Sequence, residues 1–176
     1  MELAGTAYLA NLSVLGISFA TVSTLVMLLR QVMGGTMSSF DIYLMTSYVT
    51  AGFMLCFAAL LPSLFDLCGL PQSVTWSAAS AVASLPIGWL ALAAPRRRRV
   101  ASGGVRPPLA FRLTIALFWI SSLILFANAA VPDLHHAGRF AMALTVFLAT
   151  LMWTFTRRIA SLLSGSPGRD WDPGKG

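Results

Sequence analysis

Five stretches of this chain are each long and apolar enough to cross a lipid bilayer, and that property removes most of the folds open to 176 residues. A hydrocarbon core about 30 Å thick needs about 20 apolar residues in a helix rising about 1.5 Å per residue. Backbone N–H and C=O groups find no water there, so each crossing must satisfy its own hydrogen bonds, as an α-helix does. The pattern predicts crossings at Thr6 to Leu29, Ile42 to Phe65, Val74 to Ala94, Leu109 to Val131 and Phe140 to Leu163. The expected fold is all-α, a polytopic transmembrane bundle of five spans filling residues 1–163. A polar tail, 164–176, opens with Ser164-Gly165-Ser166-Pro167-Gly168 and lacks the apolar content to fold alone. With 57% hydrophobic and 10% charged residues, a soluble domain would be left with too few polar side chains to cover it.

Turn-forming residues punctuate the spans. Gly34 and Gly35 break the first connector, and Ser38 with Asp41 has the spacing of a capping box for the second helix. Asp66, Gly69 and Pro71 separate the second and third spans. Pro95, Gly103, Gly104, Pro107 and Pro108 bound the third connector, and Pro132 with Asp133 closes the fourth helix. Pro62 and Pro86 fall inside spans, where they are expected to shape the helices by kinking them.

Charge orients the bundle. With the third connector inside, Arg30, Arg96 to Arg99, Arg106, Arg112, Arg157, Arg158, Arg169 and Lys175 all lie on the cytoplasmic side, and Arg139 alone lies outside. The positive-inside rule then gives an N-out, C-in topology, consistent with a bacterial inner membrane. Glu2, with no basic residue near it, suits an outward N-terminus and argues against a cleaved signal peptide. Tyr8 and Trp76 near the outer face, and Tyr43 and Trp89 near the inner face, occupy depths that favour aromatic anchors. The basic excess of +6 sits at span ends, where topology explains it, so nucleic acid is not an expected partner. Anionic lipid headgroups at Arg96, Arg97, Arg98 and Arg99 are the expected ligands of that charge.

No Asp, Glu, Lys, Arg or His falls near the middle of any span, which argues against a proton-coupled pump. An odd number of spans also fails to suggest paired inverted repeats. Small residues instead recur at helical spacing. Ser77, Ser80, Ser84, Gly88 and Ala91 form one face of the third span, with similar rows at Gly16, Ala20 and Thr24 and at Ala141, Thr145 and Ala149. Such faces let helix backbones approach closely. In the fourth span Thr114, Ser121 and Asn128 repeat every seven residues, and Asn11 should lie at a depth similar to Asn128. This stripe either bonds neighbouring helices, Asn11 and Asn128 to each other among them, or lines a polar cavity.

Sites for chemistry are sparse. His135 and His136 adjoin in a connector without the further ligands a metal shell needs, and no span holds a haem-ligating histidine, so no metal or cofactor is expected. Cys56, at mid-span, and Cys68, at the outer boundary, lie too far apart along a helix for a disulfide. Neither has a neighbouring base to mark it as a nucleophile. Phosphate-binding glycine loops, His-Glu-x-x-His helices and Gly-x-Ser-x-Gly elbows are absent. The expectation is a small non-catalytic integral membrane protein acting through helix contacts, as a homo-oligomer or an accessory subunit. The alternative is a channel or passive transporter for a small neutral or weakly polar solute, using the polar stripe or an oligomer axis.

Overall fold

The computed structural model describes residues 5–32, 38–104, 106–131 and 136–163. Five helices follow one another: α1 (Thr6–Val32), α2 (Ser39–Leu67), α3 (Gln72–Ala101), α4 (Leu109–Ala130) and α5 (His136–Leu163). Among the described residues there are no strands. All five helices are long and apolar enough to span a membrane. The Gly34-Gly35 connector, Pro132, Asp133, His135, the side chain of His136 and the 164–176 tail lie outside the described residues.

Four of the five helices run past the expected crossings, because hydropathy marks only the apolar part of a helix; α4 instead ends one residue short, at Ala130. The largest difference is in α3. The Arg96 to Arg99 run, expected in a connector after Pro95, forms the last turns of a 30-residue helix that continues through Pro95 to Ala101. Pro95 forfeits a single bond, to the carbonyl of Ala91, while arginine is a strong helix former and favours the negative end of the helix dipole. The helix ends at Gly103 and Gly104, whose φ values of +62° and +89° suit glycine.

Sequence neighbours pack side by side, and α5 additionally touches α1, α2 and α3. That central position rests on three rings. Phe140 meets Trp76 of α3 at 5.8 Å between centroids, Phe147 meets Phe118 of α4 at 5.0 Å, and Phe155 lies 5.1 Å from Phe19 of α1 and 5.4 Å from Tyr48 of α2. Spacings of seven and eight residues put the three phenylalanines on one face of α5, each reaching different neighbours. Aromatic pairs of this geometry contribute about 0.5–1.5 kcal/mol beyond the area they bury. Trp76, expected as an outer anchor, is only 2% exposed because its side of α3 faces α5.

α1 and α2 approach closely, backbone against backbone. A Cβ added to Gly16 would lie 2.9 Å from the Gly52 carbonyl oxygen and 3.0 Å from the Cys56 amide nitrogen. Ala20 abuts Gly52 from the same side. Thr24, the third member of that small-residue row, is exposed.

Candidate functional site

Two polar clusters lie within the bundle, and each follows from the helical repeat of its elements. The first joins α3 to α4. Ser80 and Ser84 lie on the buried face of α3, opposite Ser122 and Asn128 of α4. Asn128, fully buried, donates through Nδ2 to Ser80 Oγ at 2.8 Å. Ser122 donates to the Ser84 carbonyl at 3.0 Å, and Gly88 leaves room for its hydroxyl, since a Cβ there would come within 2.9 Å of Ser122 Oγ. Thr114 turns back to its own helix, donating to the Ala110 carbonyl at 2.9 Å. Ser121 is fully buried, and its hydroxyl has no hydrogen-bond partner among the described residues.

Of the expected stripe on α4, Asn128 alone is seen bonding the small face of α3, and Ser122, outside the seven-residue repeat, makes the second bond across the interface. Asn11 is not part of it. That residue lies on the exposed face of α1 and makes no hydrogen bond to Asn128, because the rotation of α1 that buries Leu9, Leu12 and Gly16 turns Asn11 away from the bundle. Ser77 is half-buried and makes none of the hydrogen bonds across this interface.

The second cluster gathers one end of all five helices, and sequence reasoning missed it. Asp41, 5% exposed, occupies the first turn of α2. Its backbone N–H donates to Ser38 Oγ at 3.1 Å, and its carboxylate accepts from the Ser38 hydroxyl at 2.8 Å, which makes the capping box. The same carboxylate pairs with Arg30 of α1 at 3.3 Å and with Arg158 of α5. Phe40, beside Asp41, lies under two guanidiniums, Arg158 at 5.3 Å and Arg98 of α3 at 5.5 Å. Arg98 also stacks on Phe111 of α4, with the guanidinium 4.5 Å from the ring centroid. A guanidinium is weakly hydrated and stacks on aromatic faces, so arginine tolerates this position better than lysine.

Arg98 is 9% exposed, whereas Arg96, Arg97 and Arg99 are exposed. The helical repeat separates them: Ser80, Ser84, Ile87, Ala91, Ala94 and Arg98 step along the buried face of α3. Asp41 likewise begins the buried row Asp41, Met45, Tyr48, Gly52, Leu55, Ala59 and Pro62 on α2. Arg158 continues the row Phe140, Leu144, Phe147, Leu151 and Phe155 on α5. These charges extend apolar faces, a signal already present in the spacing.

Around this end the remaining described basic side chains, Arg106, Arg112 and Arg157 among them, are exposed, with Arg157 over the Trp153 ring at 5.4 Å. The Tyr43 hydroxyl donates to the Ala94 carbonyl at 3.3 Å, adding a tie between α2 and α3. At the opposite end Tyr8 and Thr145 share a hydrogen bond of 2.7 Å between α1 and α5. Cys56 is buried and Cys68 exposed, both as free thiols. No known protein family, curated protein or solved structure is detectably similar to this chain.

Proposed function

We propose that this is a non-catalytic integral membrane protein that works through lateral helix contacts, as a homo-oligomer or as an accessory subunit of another membrane protein. One observation carries the reading: the outward face of α1 is apolar but presents the Asn11 carboxamide, with no hydrogen-bond partner among the described residues. Val14, Leu15, Val22 and Leu25 share that exposed side. A carboxamide in a membrane gains from a partner on another helix by about 0.6–2 kcal/mol. The small-residue rows are a weaker motive than they are in the sequence alone, because Gly16, Ser80, Ser84 and Gly88 are occupied by contacts within one chain.

Conduction through the bundle has less support. Asn128 and Ser122 spend hydrogen bonds on α3, and two grooves, one between α2 and α3 and one between α1 and α2, have mainly apolar walls. The clustering of basic residues at one end favours that end as cytoplasmic, giving an N-out, C-in protein of a bacterial inner membrane.

Purification in mild detergent followed by mass measurement tests the proposal. The full chain should run as an oligomer or retain a second membrane protein, and Asn11→Leu should weaken that association. A monomer with no co-purifying protein refutes the reading. A reporter fused after Lys175 should be cytoplasmic; finding it exported overturns the orientation.

A further inference from the structure

We infer that α2 and α3 form a binding site for a single anionic glycerophospholipid in the leaflet at the basic end of the bundle. The site has an apolar seat and a charged rim on one continuous face. The seat is a lateral groove of about 560 Å³, walled by Phe53 and Phe57 of α2 and by Val82, Leu85 and Pro86 of α3. Phe53 and Phe57 are 57% and 56% exposed and Leu85 72% exposed, so a lipid chain reaches the groove directly.

From Leu85 the exposed face of α3 runs through Trp89 and Leu92 to Arg96 and Arg99. Steps of three and four residues hold these side chains within one narrow arc. Leu85 and Arg96 are eleven residues apart, an axial distance of about 16 Å. Half of a hydrocarbon core about 30 Å thick is nearly the same length. A lipid whose acyl chain lies in the groove therefore brings its phosphate to the height of Arg96 and Arg99, with Trp89 below the headgroup.

Charge selects the lipid class. Asp41 is the one described carboxylate at this end, and it is held by Arg30 and Arg158. Arg96 and Arg99 have no carboxylate partner among the described residues. Exposed guanidiniums at a membrane surface favour a phosphate whose charge is not cancelled by a choline or an amine. The site rests on α2 and α3 and makes no use of Asn11, so neither proposal stands or falls with the other.

Native mass spectrometry of the full chain in mild detergent, titrated with phosphatidylglycerol and with phosphatidylcholine of identical acyl chains, tests the inference. Phosphatidylglycerol should bind at least about tenfold more tightly, and Arg96→Gln with Arg99→Gln should weaken it by about 30-fold, the effect of two such charges. Val82→Trp, which fills the groove from an exposed position, should weaken binding of both lipids. Arg106→Gln with Arg112→Gln should leave binding unchanged. Equal affinity for the two lipids overturns the inference. So does an equal loss in the two paired-arginine variants, or unchanged lipid binding in Val82→Trp, including the case where that variant alters only the oligomer mass.

Discussion

Replacing Asp41 by Asn should destabilise the bundle more than any other single exchange of a charged side chain in the described region. The amide keeps an oxygen for the capping box and nearly the same shape, so the change isolates the negative charge. Removing one partner of a buried ion pair costs about 3–5 kcal/mol. An exposed pair contributes about 0–1 kcal/mol. The side chains here are 7% exposed for Asp41, 31% for Arg30 and 23% for Arg158, nearer the buried limit. With two guanidiniums losing the same carboxylate, the expected loss is about 2–4 kcal/mol. Reversible unfolding by sodium dodecyl sulfate from mild detergent, followed by tryptophan fluorescence, measures it. Arg157→Gln, which loses only an exposed stacking contact with Trp153, should cost no more than about 1 kcal/mol. In a double-mutant cycle, Asp41→Asn and Arg158→Gln should couple by at least about 1 kcal/mol. A loss below about 0.5 kcal/mol for Asp41→Asn, or strict additivity in the cycle, would refute the reasoning.

Three further outcomes test the packing. Gly16→Ala should cost about 1–3 kcal/mol, because its methyl meets the Gly52 carbonyl and the Cys56 amide, both backbone. Gly138→Ala, with nothing within 4 Å, should instead stabilise α5 by about 0.5–1 kcal/mol, and the same sign at both glycines in an unfolding titration would contradict the α1–α2 approach. Asn128→Leu should cost about 0.6–2 kcal/mol, and adding Ser80→Ala should cost little more; two full, additive losses would mean that the hydrogen bond between them does not form. A maleimide reagent should label Cys68 in the folded protein and spare Cys56, and comparable labelling rates, read by mass, would refute the burial of Cys56 under α1.

The number of helices and their approximate crossings were legible because both depend on local quantities. Each membrane segment satisfies its own backbone, so runs of apolar residues reveal it without knowledge of its neighbours. Partner choice is not local. Asn11 and Asn128 share a residue type and a similar expected depth, yet the rotation of each helix decides which side chains meet, and Asn128 meets Ser80 instead. Trp76 shows the same limit, since depth suits it to a headgroup belt while rotation places it against Phe140. Pro95 misled differently. Proline and a basic run read as a stop, but the loss of one hydrogen bond does not end a helix whose next residues favour helix.

The cluster at the basic end is hard to read from the sequence, because a basic run at the end of an apolar span satisfies the orientation rule whatever its helical phase. Both roles can occupy the same sequence run. Arg96, Arg97 and Arg99 are exposed, and it is to these that the proposed orientation and lipid contacts are assigned. Arg98 falls seven residues after Ala91 on the buried face and lies between Phe40 and Phe111. Asp41 and Arg158 likewise prolong the buried rows of α2 and α5 just where those rows reach the end of the apolar region. A bundle without a charge at mid-span can thus fix the relative rotation of its helices at one end, by ion pairs and guanidinium stacking. The middle is left to aromatic rings and a few serine and asparagine contacts. Rotation about a helix axis changes little in a uniformly apolar interface, so directional contacts at a terminus are an economical way to specify it.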